Sequence, residues 1–491
     1  MDYLDPKKQR RHRILLITGY IFIAIAIFIT TIVLLYEAYG FGLGKNGEVV
    51  QNSFVFVSSQ PAGSQIRLNG KLNSARTNAR LSLVEGQYNL QINRTGYRPW
   101  QRPIAVIGGS VEHFDYPFLF PAKLTASTPL KQYDSAPGLA TQSPDRRWLL
   151  VQQAGSGAAF EEYDLKNPKT AAVVVTVPDE IINSGDSQSW QLVEWSNDNR
   201  HVLLKHVYND KSEFILVDRS DPAQSVNLNT TFKLSPTRVN LINKKFNQYY
   251  VYDGGNQTLQ TVNLTDPTPK PLLEHVLDYK SYGTNTLLYV SSSASRSDKV
   301  SIDLQQDGKT YALREAAANS PYLLDLTQYN GALYVVAGAS TENKVYVFKN
   351  PVTQLNSELG TLVPAYILKV ASPNYVSFSD NAQFIMDENG SQFSVYDAQN
   401  DIGYTYDAKA PLDQPQPHAK WMDGAHLTYV SNGKLLVFDY DHANPQTLMS
   451  ANSNYLPFFD PSYKFVDTLD PVTASGQATL ESTFLVTPAD Q

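Results

Sequence analysis

The sequence predicts a mainly β protein that begins with one membrane-spanning helix. Three observations support this prediction: an uncharged apolar run near the N-terminus, a high content of aromatic residues, and strand-and-turn units that recur along most of the chain. The 491 residues include 30 Tyr and 21 Phe but only four Met. Aromatic side chains fit the half-buried surface of a sheet better than a helix, so most of the chain is expected to form strands.

The apolar run comprises residues 14–36, which carry no charged side chain. At about 1.5 Å of rise per residue, this segment is long enough to cross a hydrocarbon core of roughly 30 Å. No Lys or Arg follows it before Lys45, whereas five basic residues precede it: Lys7, Lys8, Arg10, Arg11 and Arg13. Because positive charge is retained on the cytoplasmic side, residues 1–13 are predicted to be an unfolded cytoplasmic tail and everything after residue 40 to lie outside.

A cleavable secretory signal and a buried core helix are alternative explanations of this run. A secretory signal has an apolar core of about 7–15 residues and small residues at its cleavage site. Residues 14–36 are longer, and Ala38-Tyr39-Gly40 is a poor cleavage site. Unbroken apolarity with charge on one side only is also not typical of a core helix. We therefore predict an uncleaved signal anchor, with the lipid bilayer as its partner and a single-pass cell-membrane location.

Composition excludes several kinds of chemistry. The chain has no cysteine, which excludes disulfides, thiolate nucleophiles and thiolate metal sites. Because residues 1–13 contribute +3 to the overall net charge of −7, the remainder carries about −10. An acidic outer part argues against nucleic acid as a partner and against binding to anionic lipid surfaces.

A small β module is predicted directly after a short stalk. Residues 37–52 are glycine-rich and are expected to be that stalk. From residue 53 onwards apolar and polar residues alternate, and Asn69-Gly70 is a strong hairpin signal because both residues tolerate positive φ. Alternation of this kind predicts strands with one buried face and one solvated face.

These residues resemble the PEGA domain family. The matching positions are Ser59, Pro61 and Gly63 in the opening motif, Asn69-Gly70 in the turn, Gly86 and Tyr88 in a later strand, and Gly96-Tyr97 in the closing pair. Ser64 and Thr77-Asn78 depart from the family's Ala and Thr-Pro. The resemblance implies a small β-sandwich over residues 53–120 that acts as a spacer or adhesion module and has no catalytic role. Trp100 is expected to pack in a core or between domains, with ligand stacking as the alternative.

Residues 136–491 contain two repeated signals, and residues 121–135 are predicted to be a linker. The first signal is a polar turn followed by an apolar strand, and it begins near residues 143, 195, 378 and 421, with fainter copies near Leu234, Tyr279, Leu326 and Phe459. The second is an apolar strand that ends in an Asn/Asp and Pro turn, about 20 residues later in most copies. Units of about 40–52 residues with two such signals predict the four-stranded blades of a β-propeller. The eight starts predict eight blades, or seven if a terminal unit does not form one.

The repeats resemble TolB-type, WD40-like propellers. Their S-P-D-G motif is nearest to Ser143-Pro144-Asp145, and Arg146 occupies the position of the family's Gly. This resemblance implies an architecture rather than an activity.

No motif predicts a catalytic, cofactor-binding or metal-binding residue. Metalloprotease and nucleophile-elbow motifs are absent from the sequence, and Gly308-Lys309-Thr310 lacks the upstream glycine of a phosphate loop. His201 and His206 would lie on opposite faces of a strand, which disfavours a shared metal. Asp218–Asp221 and Asp439–Asp441 could supply oxygens to calcium, but similar segments recur in most units, which favours a turn-forming role. The eight histidines are His12, His113, His201, His206, His275, His418, His426 and His442.

We expect a non-enzymatic, membrane-anchored protein of the cell envelope that faces outward and binds a protein or glycan through the propeller. One alternative is an extracellular hydrolase or lyase with its site at the channel mouth, and another is a structural surface-layer component that packs laterally. Converging His, Asp or Glu and Arg side chains with perturbed pKa values would favour the enzyme. A broad, tyrosine-rich face would favour the binding protein.

Overall fold

The computed structural model describes residues 6–38, 41–43, 49–153, 157–292, 297–358, 360–415, 418–470, 473 and 476–490. The chain divides into two compact units, Met1–Lys123 and Leu124–Gln491.

The N-terminal helix α1 extends over Pro6–Ala38 and is longer than the predicted segment 14–36. The prediction of an unfolded tail is therefore wrong for residues 6–13. Lys, Gln and Arg are good helix formers, and Pro6 is tolerated in the first turn, so nothing interrupts the helix before residue 14. The candidate cleavage residues Tyr39 and Gly40 and the stalk residues 44–48 lie outside the described residues.

The rest of the first unit consists of two four-stranded sheets. In the first sheet β2 pairs with β1, β5 and β8, and in the second the order is β4-β3-β6-β7. The strands are β1 (Phe41–Leu43), β2 (Val49–Val57), β3 (Gln65–Leu68), β4 (Lys71–Arg76), β5 (Ala79–Val84), β6 (Gly86–Asn93), β7 (Trp100–Val106) and β8 (Val111–Phe114). Residues 41–43 and 49–52, predicted as stalk, therefore belong to β1 and β2.

The two sheets bury a common apolar core that includes Val55, Ile66 and Leu90. Trp100 is only 2% exposed and contacts Tyr116 edge-on, with 5.8 Å between ring centroids. The packing role predicted for this indole is therefore confirmed.

The second unit is a β-propeller. Within its described residues, the strands form eight four-stranded sheets in which neighbouring strands are antiparallel. First strands of successive sheets contact one another, as β22 contacts β26 and β26 contacts β30, so the sheets are arranged around a central channel. We number these sheets as blades 1 to 8.

The strands of blades 1 to 4 are β10 (Ala140–Gln142), β11 (Trp148–Gln152), β12 (Ala159–Asp164), β13 (Val173–Thr176), β14 (Gln188–Trp195), β15 (His201–Tyr208), β16 (Lys211–Asp218), β17 (Val226–Asn227), β18 (Arg238–Leu241), β19 (Gln248–Asp253), β20 (Thr258–Asn263), β21 (Lys270–Leu273), β22 (Val276–Tyr282), β23 (Thr286–Ser291), β24 (Lys299–Gln306) and β25 (Lys309–Ala317). The strands of blades 5 to 8 are β26 (Tyr322–Tyr329), β27 (Ala332–Ala339), β28 (Lys344–Lys349), β29 (Tyr366–Leu368), β30 (Tyr375–Phe378), β31 (Phe384–Glu388), β32 (Gln392–Asp397), β33 (Ile402–Asp407), β34 (Lys420–Trp421), β35 (His426–Ser431), β36 (Lys434–Asp439), β37 (Gln446–Ser450), β38 (Phe458–Phe459), β39 (Phe465–Leu469), β40 (Ala478–Phe484) and β9 (Thr128–Tyr133). Two short helices, α2 (Leu228–Phe232) and α3 (Pro351–Leu355), lie in loops.

Strand β9 closes the ring. It lies in the segment 121–135 that was predicted to be a linker, and it pairs with β40 as the outermost strand of blade 8, so that prediction is wrong for residues 128–133. Tyr133, at the end of β9, is 3% exposed and donates a hydrogen bond of 2.9 Å to Glu161 in blade 1. The first strand of the propeller therefore contacts both its last and its first blade.

Tryptophan side chains join neighbouring blades at two places. Trp195, at the end of the first strand of blade 2, donates a hydrogen bond of 2.9 Å to Thr141 Oγ1 in the first strand of blade 1. Trp421 in blade 7 makes the equivalent bond of 3.0 Å to Ser377 Oγ in blade 6. Both indoles are buried, so each bond satisfies a polar group that would otherwise destabilise the interface.

The repeated sequence signals correspond to two turns in most blades, whereas the faint copy near Leu234 precedes β18, the first strand of blade 3. In the turn between the first and second strands, Ser143 Oγ accepts a hydrogen bond of 2.9 Å from the Trp148 N–H, and Ser379 Oγ accepts one of 3.0 Å from the Phe384 N–H. After the third strand, Asp218 Oδ1 accepts hydrogen bonds of 3.0 and 3.1 Å from the backbone N–H groups of Ser220 and Asp221. The turn-forming role predicted for Asp218 is confirmed.

Two carboxyl groups of blade 6 are fully buried in adjacent positions. Glu388 accepts hydrogen bonds from the Ala419 and Gly390 N–H groups, at 2.8 and 2.6 Å, whereas neither oxygen of Asp387 has a hydrogen-bond partner among the described residues. Burial, and then the neighbouring Glu388, raise the pKa of Asp387 to about 8. Burial raises the pKa of Glu388 to about 7.

We predict that Tyr133→Phe lowers the free energy of unfolding of the propeller by about 1–2 kcal/mol, because Glu161 loses a buried donor. Thermal unfolding of the full chain in detergent would measure this change. Tyr311→Phe is the matched control, since the Tyr311 hydroxyl makes no hydrogen bond among the described residues. Equal melting temperatures for the two variants would contradict the contribution of β9 to ring closure.

We also predict that Asp387→Asn raises the melting temperature at pH 8 and has a much smaller effect at pH 4. An unfolded aspartate has a pKa of about 3.9. Because the folded pKa is higher, the folded state holds the proton more tightly, and stability is lost as the pH rises from about 4 through 8. Asparagine carries no titratable proton, so the Asp387→Asn variant does not lose stability in this way as the pH rises. The exposed Asp134→Asn is the control, and a pH-independent effect at position 387 would contradict the prediction.

Candidate functional site

Ion pairs join neighbouring blades on or next to the innermost strands of the propeller. Lys244 of blade 3 pairs with Glu194 of blade 2, and Lys280 Nζ of blade 4 lies 3.8 Å from Asp325 Oδ1 of blade 5. The lysines are more than half exposed, whereas their partners are largely buried. The channel wall is therefore polar and contains both signs of charge.

Four side chains meet at one end of this channel, on the face that carries the turns between first and second strands. This channel-mouth cluster consists of Arg146 (blade 1), Asp380 (blade 6), Lys420 (blade 7) and Tyr463 (blade 8). Arg146 forms an ion pair with Asp380, and its guanidinium carbon lies 4.7 Å from the centre of the Tyr463 ring. The cluster thus joins blades that are not neighbours in the ring.

Arg146 stands where the S-P-D-G motif of TolB-type propellers has glycine. The backbone conformation of Arg146 explains why glycine suits that position. Its φ is +60°, in the left-handed region, which costs a non-glycine residue about 1–2 kcal/mol. The ion pair with Asp380 and the contact with Tyr463 offset part of this cost. Asn199, Ala382 and Tyr463 also have positive φ in the corresponding turns of other blades.

Two members of the cluster have a shifted pKa, because burial raises the pKa of Tyr463 and lowers that of Lys420. Burial, and then the nearby Arg146, lower the pKa of Lys420 to about 8, although Asp380 partly opposes the shift. Among the described residues, Lys420 forms no ion pair. This amine is therefore more easily deprotonated than that of an ordinary lysine.

His426 lies in the same blade as Lys420, but its imidazole is buried between two carboxylates. It is 2% exposed, with Nδ1 2.8 Å from Asp423 Oδ2 and Nε2 3.4 Å from Asp439 Oδ1. Burial opposes its protonation, but Asp423 and Asp439 outweigh that effect and raise the pKa of His426 to about 10. A histidine that stays protonated at neutral pH cannot serve as a general base there.

The other residues considered from the sequence do not form a common site. His201 Nδ1 lies 2.7 Å from Asp198, whereas His206 Nδ1 lies 2.9 Å from Glu213, so the two imidazoles have separate partners. Gly308 has a φ of +76° in the hairpin turn between β24 and β25. In the part of the chain that the structure describes, no three His, Asp or Glu side chains group together in a way that could hold a metal ion.

Two surface clefts of the propeller are lined mainly by polar side chains. One, of about 480 Å³, lies beside blade 2 and is flanked by Lys211 and Lys233. The other, of about 400 Å³, lies between blades 7 and 8 and contains Asp470 and Glu481. Burial, and then the adjacent Glu481, raise the pKa of Asp470 to about 6.

Comparison with known proteins identifies one family. Residues 53–118 match the PEGA domain family. No curated protein matches the chain in sequence.

Solved structures with a similar fold include Kluyveromyces lactis Hsv2, with 12% identity and a TM-score of 0.41 over 64% of this chain and 98% of that one. They also include the Dos1 propeller, with 11% identity and a TM-score of 0.46 over 72% of this chain and 95% of that one. The protein lmo1340 from Listeria monocytogenes EGD-e has 10% identity and a TM-score of 0.41 over 68% of this chain and 93% of that one.

The protein therefore belongs to the class of mainly β proteins that combine an apolar N-terminal helix with a β-propeller. More particularly, it contains a PEGA domain at residues 53–118 followed by a propeller of eight four-stranded blades among the described residues. The predicted sandwich and propeller are both confirmed.

We predict that Lys420 reacts with a small amine-directed reagent with a half-maximal rate near pH 8, because its amine is half deprotonated there. The side chain of an unperturbed lysine has a pKa of about 10.4. Mass spectrometry of the full chain, labelled in detergent between pH 6 and 11, would measure this, with the exposed Lys166 as internal control. Arg146→Gln should move the Lys420 profile to higher pH, since it removes a repelling charge. Identical profiles for Lys420 and Lys166 would contradict the prediction.

Proposed function

We propose that this protein is a single-pass component of the cell envelope, with its N-terminus in the cytoplasm and its PEGA domain and propeller facing outward to bind a protein or glycan. The observation that supports this most is helix α1. The most apolar 18-residue stretch within Lys7–Tyr36 has a mean hydropathy of 2.5, and none of it is buried. A helix of a soluble protein would bury one apolar face, whereas this one is apolar on every side over residues 14–36.

The charge distribution around α1 supports the orientation. Five Lys and Arg residues precede residue 14, and none follows residue 36 within the helix. Cytoplasmic segments next to membrane helices are enriched in Lys and Arg. The remaining chain is acidic, which suits a solvated envelope protein and disfavours nucleic acid as a partner.

The channel mouth supports binding rather than catalysis. Arg146 and Tyr463 belong to the residue types that contribute most to binding energy at protein interfaces. Their positions are fixed by turns at the end of a rigid ring, so little conformational entropy is lost when a partner binds. The described charges there are mostly paired with each other, and His426 is locked between two carboxylates. This arrangement suits recognition of a surface more than proton transfer.

An extracellular hydrolase or lyase is the second candidate, and Lys420 is the observation that favours it. Its amine has a lowered pKa and lies in the same cluster as the cationic Arg146. A substrate that enters the channel mouth could use this amine as a base or nucleophile. Activity that is lost in Lys420→Gln but not in Lys166→Gln would support the enzyme.

We predict that residues on the two sides of α1 are labelled from opposite sides of the membrane. The chain has no cysteine, so single cysteines can be introduced as Lys8→Cys, Ser74→Cys and Lys166→Cys. A membrane-impermeant maleimide should label positions 74 and 166 in intact cells stripped of any outer membrane, and position 8 only after permeabilisation. Labelling of position 8 in intact cells would contradict the orientation. Release of the cysteine-labelled outer units in soluble form would indicate a cleaved signal.

We predict that the channel mouth contributes to binding of the partner. Full-length wild type, Lys420→Gln, Tyr463→Phe and the exposed control Lys166→Gln would be cross-linked in envelopes at equal abundance and with equal melting temperatures. Mouth variants should lose a specific cross-linked partner by tenfold or more, which corresponds to about 1.4 kcal/mol. Equal cross-linking by all variants would exclude the mouth as the binding surface. A ladder of self-cross-linked species would favour the lateral surface-layer alternative.

A further inference from the structure

The cleft between blades 7 and 8 has no part in the proposed function, although it contains an unusual set of oxygen atoms. It lies beside β37 and β40 and has a volume of about 400 Å³. The lining side chains with oxygen atoms are Thr125, Ser127, Ser450, Asp470, Glu481 and Thr483. None of the described residues that line this cleft is a histidine.

Two carboxyl groups meet in this cleft without a compensating positive charge. Asp470 and Glu481 both line the cleft and interact electrostatically, and Ser127 Oγ donates a hydrogen bond to Glu481 Oε2. Among the described residues, neither carboxyl group forms an ion pair with a Lys or Arg. Lys434 donates to Ser450 Oγ at 2.8 Å and is exposed. The carboxyl pair repels itself unless a proton or another cation lies between the two groups.

A buried hydroxyl provides an independent indication of a ligand. Thr483 follows Glu481 by two residues on β40, so both side chains lie on the same face of the strand. Thr483 is 2% exposed, and its Oγ1 has no hydrogen-bond partner among the described residues. Thr125 Oγ1, on another wall, is also without one. Buried hydroxyls of folded proteins are normally satisfied, and a cation would use their lone pairs.

We propose that this cleft binds one calcium ion through Asp470, Glu481 and Thr483, with Thr125 and Ser127 as further oxygen donors. Calcium takes six to eight oxygen ligands in flexible geometry, whereas magnesium requires a near-ideal octahedron and zinc prefers nitrogen and sulfur. Calcium sites of extracellular modules have dissociation constants of about 10⁻⁴–10⁻³ M. The expectation of this affinity range rests on the proposed outward orientation, but the site itself does not.

Calcium at this position would stabilise the propeller where the ring closes. Glu481 and Thr483 lie on β40, which pairs with β9, and Thr125 and Ser127 lie just before β9. Ser450 lies at the end of β37 in blade 7. One ion bound by these groups would therefore join β40 to the segment that leads into β9, and Ser450 of blade 7 lines the same cleft.

The test is calcium binding by the full chain in detergent, measured by isothermal titration calorimetry with calcium chloride, with magnesium chloride as comparison. We expect one saturable calcium site in the wild type, and a melting temperature that rises by a few degrees at saturating calcium relative to EDTA. Glu481→Gln with Asp470→Asn should abolish this site, and Thr483→Val should weaken it about tenfold. Asp266→Asn, which removes an exposed carboxylate elsewhere on the propeller, should bind as the wild type does.

Two results would overturn the proposal: no saturable binding by the wild type up to 10 mM, roughly ten times the weakest expected constant, or wild-type affinity in the Glu481→Gln, Asp470→Asn double variant. If the double variant does not fold, the decision rests on the wild-type melting temperature and on Thr483→Val. An unchanged melting temperature in calcium would then contradict the site. The orientation of the protein in the membrane affects none of these readings, so failure here is distinct from failure of the proposed function.

Discussion

The propeller depends on one pairing, between the first strand of the second unit and the last strand of the chain. Strand β9 contributes the outer edge of blade 8, whose other three strands come from residues 458–484. An apolar cluster lies between blades 8 and 1 and includes Leu149, Phe465 and Leu480. Without this pairing, part of that cluster would be exposed to solvent. The entropy cost of closing a loop grows only slowly with its length, so even this distant pairing can be offset by the surface it buries.

Both candidate sites of the propeller exist only because the ring is closed. The channel-mouth cluster draws side chains from blades 1, 6, 7 and 8, and Arg146 meets Asp380 across 234 positions of sequence. The calcium cleft likewise requires β9 and β40 to be paired, since Ser127 and Glu481 are 354 positions apart. A closed ring holds such groups without further ordering when a ligand binds, which is the physical advantage of building a binding surface on this fold. Helix α1 is distinct from these sites, because none of its most apolar stretch is buried against other described residues.

Much of the fold could be predicted from the sequence, because local signals carry it. The absence of charged residues from positions 14–36 predicted the apolar helix. The two repeated turn signals predicted the blades and the turn-forming role of Asp218. Strand β9 was missed because its sequence, TPLKQY, has no clear alternation and contains a proline, so only its distant partner defines it. The channel-mouth cluster and the calcium cleft could not be predicted either, because their side chains come from distant parts of the sequence. Arg146 was recognisable as a departure from glycine, but its pairing with Asp380 depends on the curvature of the whole ring.

Ring closure can be measured directly with a pair of introduced cysteines, because the chain has none of its own. Gln132 on β9 lies opposite Thr479 on β40, so Gln132→Cys with Thr479→Cys should form a disulfide on mild oxidation of the full chain in detergent. The pair Gln132→Cys with Ser482→Cys is out of register and should remain reduced, since Ser482 lies opposite Thr128. A disulfide in the first pair alone, with a higher melting temperature, is the result that an eight-bladed ring closed by β9 predicts. Failure of the first pair to cross-link in folded protein, or equal cross-linking of both pairs, would contradict it.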